Sequence, residues 1–138
     1  MMTEAADTAE LLGRAREALE RYLEVHVDDD GALTFSHAGV PGVVQSTQLA
    51  EGLTVLSLTC VVAWDLPDKP GVATAAAERA GQGLFGTLGV THTDRGLDLT
   101  LRYAFPGQGL EVSALGTLLM LVISTASQLR NELVPPQG

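Results

Sequence analysis

"LDLTLRYAF", residues Leu97–Phe105, sets a large apolar side chain at every second position. Leu97, Leu99, Leu101, Tyr103 and Phe105 fall on one side of an extended chain, and Asp98, Thr100 and Arg102 on the other. Successive side chains of a strand point to opposite faces, so this alternation predicts an antiparallel strand with one dry and one wet face. Just upstream, "LGVTHT" (Leu88–Thr93) is joined to it by Asp94-Arg95-Gly96, a loop short enough for a hairpin, with a glycine that accepts positive φ.

Further upstream, "LTVLSLTCVVAW" (Leu53–Trp64) is a long β-branched run after a turn at Glu51-Gly52. Its even positions Leu56, Leu58, Cys60, Val62 and Trp64 are expected to share the core face. Before it, "VDDDGALTFSHAGVPGVVQSTQ" (Val27–Gln48) offers turn residues at Asp30-Gly31 and Val40-Pro41-Gly42, separating two short runs compatible with strands. After it, the prolines and glycine of "DLPDKPG" (Asp65–Gly71) stop the strand. The alanine-rich "VATAAAERAGQGLFGTL" (Val72–Leu88) then predicts a helix whose last turns its glycines make irregular.

Two amphipathic helices frame these strands. Asp7 and Glu10 read as a capping box, followed by Leu11, Leu12, Ala15, Ala18, Leu19, Tyr22 and Leu23 at helical spacing. At the other end Leu115, Leu118, Leu119, Val122, Ile123, Ala126, Leu129 and Leu133 repeat at i, i+3, i+4 before Pro135-Pro136. The order is helix, three strands, helix, two strands, helix. This is an α+β plan, with helices packed against an antiparallel sheet. One domain is expected over residues 7–134, with flexible termini at 1–6 and 135–138.

The chain has 138 residues, 46% of them hydrophobic, enough for one core. Its 17 acidic and 8 basic side chains leave a formal charge of −9, which opposes phosphate backbones and anionic lipid. No direct nucleic-acid or membrane binding is therefore expected. The longest apolar run, "LLMLVI" (Leu118–Ile123), falls far short of the roughly 20 residues of a membrane helix. A single cysteine, Cys60, and no signal-like start point to the cytoplasm.

Several motifs invite chemistry. Gly81, Gly83 and Gly86 have the G-x-G-x-x-G spacing of a dinucleotide cradle. The cradle needs a strand before the first glycine and a helix after it, whereas here helix precedes and strand follows. A small-ligand or nucleotide site at Gly81–Gly86 is thus the alternative to a close backbone contact. That contact would involve Ala76, Ala80 and the glycines, and would lie within the chain or between two copies.

Asp28, Asp29 and Asp30 are contiguous rather than alternating as calcium ligands are, and read as a solvated turn. His26, His37 and His92 are scattered, so no metal or other cofactor is expected. Cys60 lies inside a strand with no nearby cation, as a small buried hydrophobe does. No nucleophile elbow, zinc helix or P-loop lysine occurs, and the chain reads as no enzyme.

The order of elements, the small acidic chain and the lack of catalytic motifs resemble the type III secretion chaperone-like fold, and within it the YbjN-type regulators. The resemblance spans Asp7–Leu133. It implies a non-enzymatic homodimer that binds another protein, as a chaperone or as a regulatory, stress-response accessory. It also implies a dimer contact through the middle helix, at Val72, Ala76, Arg79, Ala80, Gly83 and Leu84. Candidate partner-binding surfaces are the first helix and its neighbouring strands, around Leu12, Leu19, Leu33 and Phe35.

Overall fold

A computed structural model describes residues 2–83 and 85–134. The elements run α1 (Met2–Glu20), β1 (His26–Val27), β2 (Leu33–His37), β3 (Val40–Ala50), β4 (Leu53–Leu66), α2 (Val72–Gly81), β5 (Thr87–Thr93), β6 (Gly96–Pro106) and α3 (Val112–Leu133). The strands form one six-stranded sheet in the order β1-β2-β3-β4-β6-β5, with every neighbouring pair antiparallel. The α+β order holds, with a two-residue strand, β1, added at one edge.

β6 carries the expected alternation. Leu97, Leu99 and Leu101 are fully buried, Phe105 nearly so, and Tyr103 packs half-buried against the same core. β4 supplies Leu56, Leu58, Cys60 and Val62, all at 0% exposure, to the same layer. α1 and α3 lie over this layer and touch each other, with α2 beside them over β5. α3 contributes the stripe Leu115, Leu119, Val122, Ile123, Ala126 and Leu129, again with no exposed surface. Burying a leucine side chain stabilises the fold by roughly 1.5–3 kcal/mol, so this layer dominates its energetics. By length and composition alone α3, at 22 residues and mean hydropathy 1.6, would suffice to cross a membrane. Its apolar stripe is instead spent inside the fold.

Several local expectations are corrected. Trp64 does not join the core face; it is 61% exposed. The β4–β6 register shifts between Val61 and Ala63, so Val62 and Ala63 are buried in succession and the alternation changes phase. The carbonyl of the extra residue, Val62, accepts a 3.1 Å hydrogen bond from Arg130 Nη1 on α3. A second shift follows at Asp65, with φ 52°, whose amide donates to Asp98 Oδ1 at 2.9 Å.

The turn expected at Val40-Pro41-Gly42 lies two residues earlier. Ala38 (φ 51°) and Gly39 (φ 81°) form a two-residue hairpin turn closing the His37–Val40 pair, as a primed turn with two positive φ values does. Pro41 and Gly42 belong to β3, where Gly42 faces the ring of Phe35, which leaves no room for a Cβ.

Finally, α1 begins at Met2, so Asp7 lies inside the helix rather than at its start. The helix ends at Glu20, leaving Tyr22 in the following turn and 56% exposed. α2 stops at Gly81, so Gln82, Gly83, Phe85 and Gly86 connect it to β5 outside any helix. Met1, Leu84 and the 135–138 segment with Pro135-Pro136 lie outside the described residues.

Candidate functional site

The glycine stretch does not form a phosphate cradle. Val72 opens α2 and Gly81 closes it, so the glycines gather at the negative end of the helix dipole rather than at its anion-binding end. A Cβ on Gly81 or Gly83 would meet nothing within 4 Å, so neither marks a close contact within the chain. Gly86 does, since a Cβ there would come within 2.9 Å of the Arg102 carbonyl oxygen on β6.

The residues expected at a dimer contact on α2 face two ways. Ala76 is 1% exposed and packs in the chain's own core, with Val72 and Ala80 half-buried. Arg79 reaches α3, where its Nε donates to Glu132 Oε2 at 2.7 Å. Gly83 is exposed, and Leu84 lies outside the described residues. Most of the apolar surface of α2 is thus already used within the chain.

Of the four residues suggested for partner binding, Leu19, Leu33 and Phe35 belong to the core. Leu12 is half-buried and forms one wall of a groove of about 420 Å³ between α1, the Asp30–Ala32 turn and β3. Thr8 and Ala9 continue that wall, and Gln45, Ser46 and Thr47 make the floor. The Asp triplet shapes the rim, because Asp28 Oδ1 accepts from the amides of Asp30 and Ala32, both at 2.9 Å.

Two features make this groove receptive. β2 pairs with β3 only as far as Val44, so among the described residues no strand neighbours the side of β3 away from β4 from Gln45 to Ala50. A free strand edge presents alternate N–H and C=O groups to an incoming extended segment. Ser46 Oγ, in the groove lining, is buried without a hydrogen-bond partner among the described residues; Gln48 Oε1 and Thr54 Oγ1, cross-strand neighbours outside that lining, are likewise unpartnered among them. Buried polar groups are ordinarily paired, so an orphan in the lining marks a place short of a partner. These three residues were missed from sequence. Their signal was nonetheless present: on the core phase of β3, Val40, Gly42 and Val44 give way to Ser46 and Gln48.

Other chemistry is sparse. His26 lies 3.6 Å from Glu24 and His92 3.5 Å from Asp68, both pairs in exposed positions. Among the described residues no three His, Cys, Asp or Glu side chains gather as metal ligands would. Burial raises the Cys60 thiol from its ordinary 9.0 to about 12, so it stays protonated and unreactive.

No family model matches the sequence, and no curated protein does. Solved structures do match. The ExsC–ExsE complex contains a chain 18% identical, with 91% of this chain and 92% of that one covered at a TM-score of 0.59. The fold is that of type III secretion chaperones. The HopA1–SchA chaperone–effector complex matches at 14% identity over 88% of this chain and 91% of that one, TM-score 0.53. The Yersinia pestis type III secretion chaperone SycH, solved with a fragment of YscM2, matches at 14% identity over 88% and 98%, TM-score 0.51.

Proposed function

We propose that this protein binds an extended segment of a partner protein in the groove between α1 and the free edge of β3, and does so without catalysis, as a cytoplasmic homodimer. The observation that carries the reading is the free edge from Gln45 to Ala50 beside the unpartnered Ser46. A partner strand would pair its backbone with β3, offer a hydrogen bond to Ser46 Oγ and lay an apolar residue against Leu12. Each buried polar atom left unpaired costs about 1–3 kcal/mol, so supplying partners contributes to affinity without new apolar area. That the similar chaperones were solved with partner proteins supports the same use of this fold. A secretion chaperone and a YbjN-type stress regulator would share this groove and differ in the segment it holds.

The test uses proline, which removes a backbone donor. Along β3 successive N–H groups alternate between β4 and the free edge, so one of Ser46→Pro and Thr47→Pro removes an outward N–H and spares the β4 ladder. The variant that keeps its melting temperature is compared with wild type in tagged purification from the native cell. A specific protein retained by wild type and lost from the variant is the expected result. Identical retention by both overturns the groove.

A further inference from the structure

Resting on the groove reading, we infer that the segment held against β3 is a short cationic strand, paired to the backbone of Ser46 and Gln48 and carrying a lysine or arginine at the end that meets Asp30.

The direction of the backbone groups along the free edge follows from the β2–β3 hairpin. The two-residue turn Ala38-Gly39 closes the His37–Val40 pair, and such a closing pair exchanges both of its N–H···O bonds. Val40, Gly42 and Val44 therefore turn their backbone groups to β2, and Val43 and Gln45 turn theirs to β4. The register of β3 on β4 runs unbroken from Gly42 to Gln48, so the same phase carries Ser46 and Gln48 outward. Thr54, across from Gln48, agrees with this phase: its carbonyl points away from β3 and accepts from the Gly107 amide at 3.3 Å. The open edge thus offers the N–H and C=O groups of Ser46 and Gln48, with the buried, unpartnered Ser46 Oγ beside them.

The slot is short. β2 leaves the edge at Leu33, opposite Val44, and the chain before it folds back through the Asp28–Ala32 turn. Beyond Gln48 the register of β3 shifts, and the turn to β4 follows. From Gln45 to Ala50 the edge spans about 20 Å. An entering strand therefore runs end-on toward the turn, where Asp30, Gly31 and Ala32 line the groove.

The charges around this slot are of one sign once the paired groups are set aside. Asp28 Oδ1 accepts from the amides of Asp30 and Ala32 and so fixes the turn. Asp29 and Asp30 are exposed and make no ion pair, as is Glu51 at the far end of the slot. The stretch from Gln45 to Ala50 carries no charge. One turn past Leu12 on the α1 wall, Arg16 already lies with Nε 3.5 Å from Glu20 Oε1, and His26 on β1 lies 3.6 Å from Glu24. A cationic side chain at the turn end of the strand supplies the counter-charge that the fold does not. An acidic one is repelled by Asp30 and by the net charge of −9. Exposed ion pairs are weak, so backbone pairing and Leu12 hold the strand, while Asp30 selects its sequence and its register.

Selection from a displayed library of random six-residue segments, held in neutral glycine–serine flanks at about 0.15 M salt, tests the assignment. The full chain is compared with Asp30→Lys, which leaves the Asp28 bonds of the turn in place because their donors are backbone amides. Ala9→Trp, at an exposed position of the α1 wall, fills the groove and is the blocked control; Ser46→Pro, which withdraws an outward N–H, is a second. Controls are used where they keep the wild-type melting temperature. Wild type is expected to enrich lysine or arginine at one terminal position by at least about threefold over the unselected library, and Asp30→Lys to enrich aspartate or glutamate there instead. Binding of a selected peptide to Asp30→Asn is expected to be about two- to fivefold weaker. Groove-dependent peptides with no charge preference at their ends, or with a basic preference unchanged in Asp30→Lys, overturn the cationic strand and leave the groove. Basic residues enriched at every position alike report attraction to the net charge, and overturn it too. Peptides that bind the blocked controls as well as wild type, or a wild type that selects none, overturn the groove reading itself.

Discussion

β4 and β6 have two faces built from the same backbone, and the faces follow different rules. On one, Leu58, Cys60, Leu99 and Leu101 are sealed beneath α1 and α3, with no exposed surface. On the other, Thr59, Val61 and Thr100 are half-buried by strand neighbours alone, and Trp64 is largely in solvent. The first face gains its stability from dispersion and the removal of apolar surface from water, which tolerate no loss of volume. The second mixes small side chains with Trp64, Asp98 and Arg102 and stabilises little within one chain. The lesson is that alternation creates both faces together, and only the helices decide which becomes core.

The largest expected break in this contrast is Leu101→Ala, which empties a fully buried site at the centre of the sheet and costs about 2–5 kcal/mol. A urea titration would show the midpoint fall with its slope unchanged. Next comes Arg130→Met, which keeps the aliphatic stem but withdraws the donor from the Val62 carbonyl. An unpaired carbonyl at the bulge costs about 1–3 kcal/mol. Because that bulge sends Trp64 to the open face, the emission maximum of this only tryptophan should shift as well.

Cys60 sharpens the contrast through pH. Its thiol is raised from 9.0 to about 12, so above pH 9.0 the folded state keeps a proton that the unfolded chain has lost. Its contribution to stability is whole below pH 9.0 and falls away as pH rises toward 12. Cys60→Ala should be less stable at neutral pH, yet lack that component of alkaline loss in paired urea titrations. Thiol reagents should label the wild type only upon unfolding. The smallest effect is expected on the open face, where Val61→Thr should change monomer stability by no more than about 0.5 kcal/mol.

Much of the architecture was legible in particular residues. Leu97 to Phe105 alternate without interruption, and β6 forms as they predict. Leu115 to Leu129 recur at helical spacing, and α3 buries that stripe. Trp64 was misplaced because nothing in "CVVAW" announces an extra residue; the bulge is stabilised by Arg130, 68 positions away. The hairpin turn was misplaced for a related reason. Pro41-Gly42 carries the stronger local turn signal, but β3 takes both residues, since Phe35 needs the space that Gly42 leaves. The candidate groove was partly legible: Leu12 was singled out, whereas Ser46 was not.

Period and turn chemistry are local properties of the chain, so the kind and order of the main elements and the alternation along each could be read directly from the sequence. It determined the acidic surface and the inert placement of Cys60 in the same way. Only the tertiary structure decided where β2 stops short of β3, which polar groups on β3 and β4 are left without partners, and which side of the sheet stays free of helices. Those outcomes depend on register and on contacts between residues far apart in sequence, which no local pattern specifies.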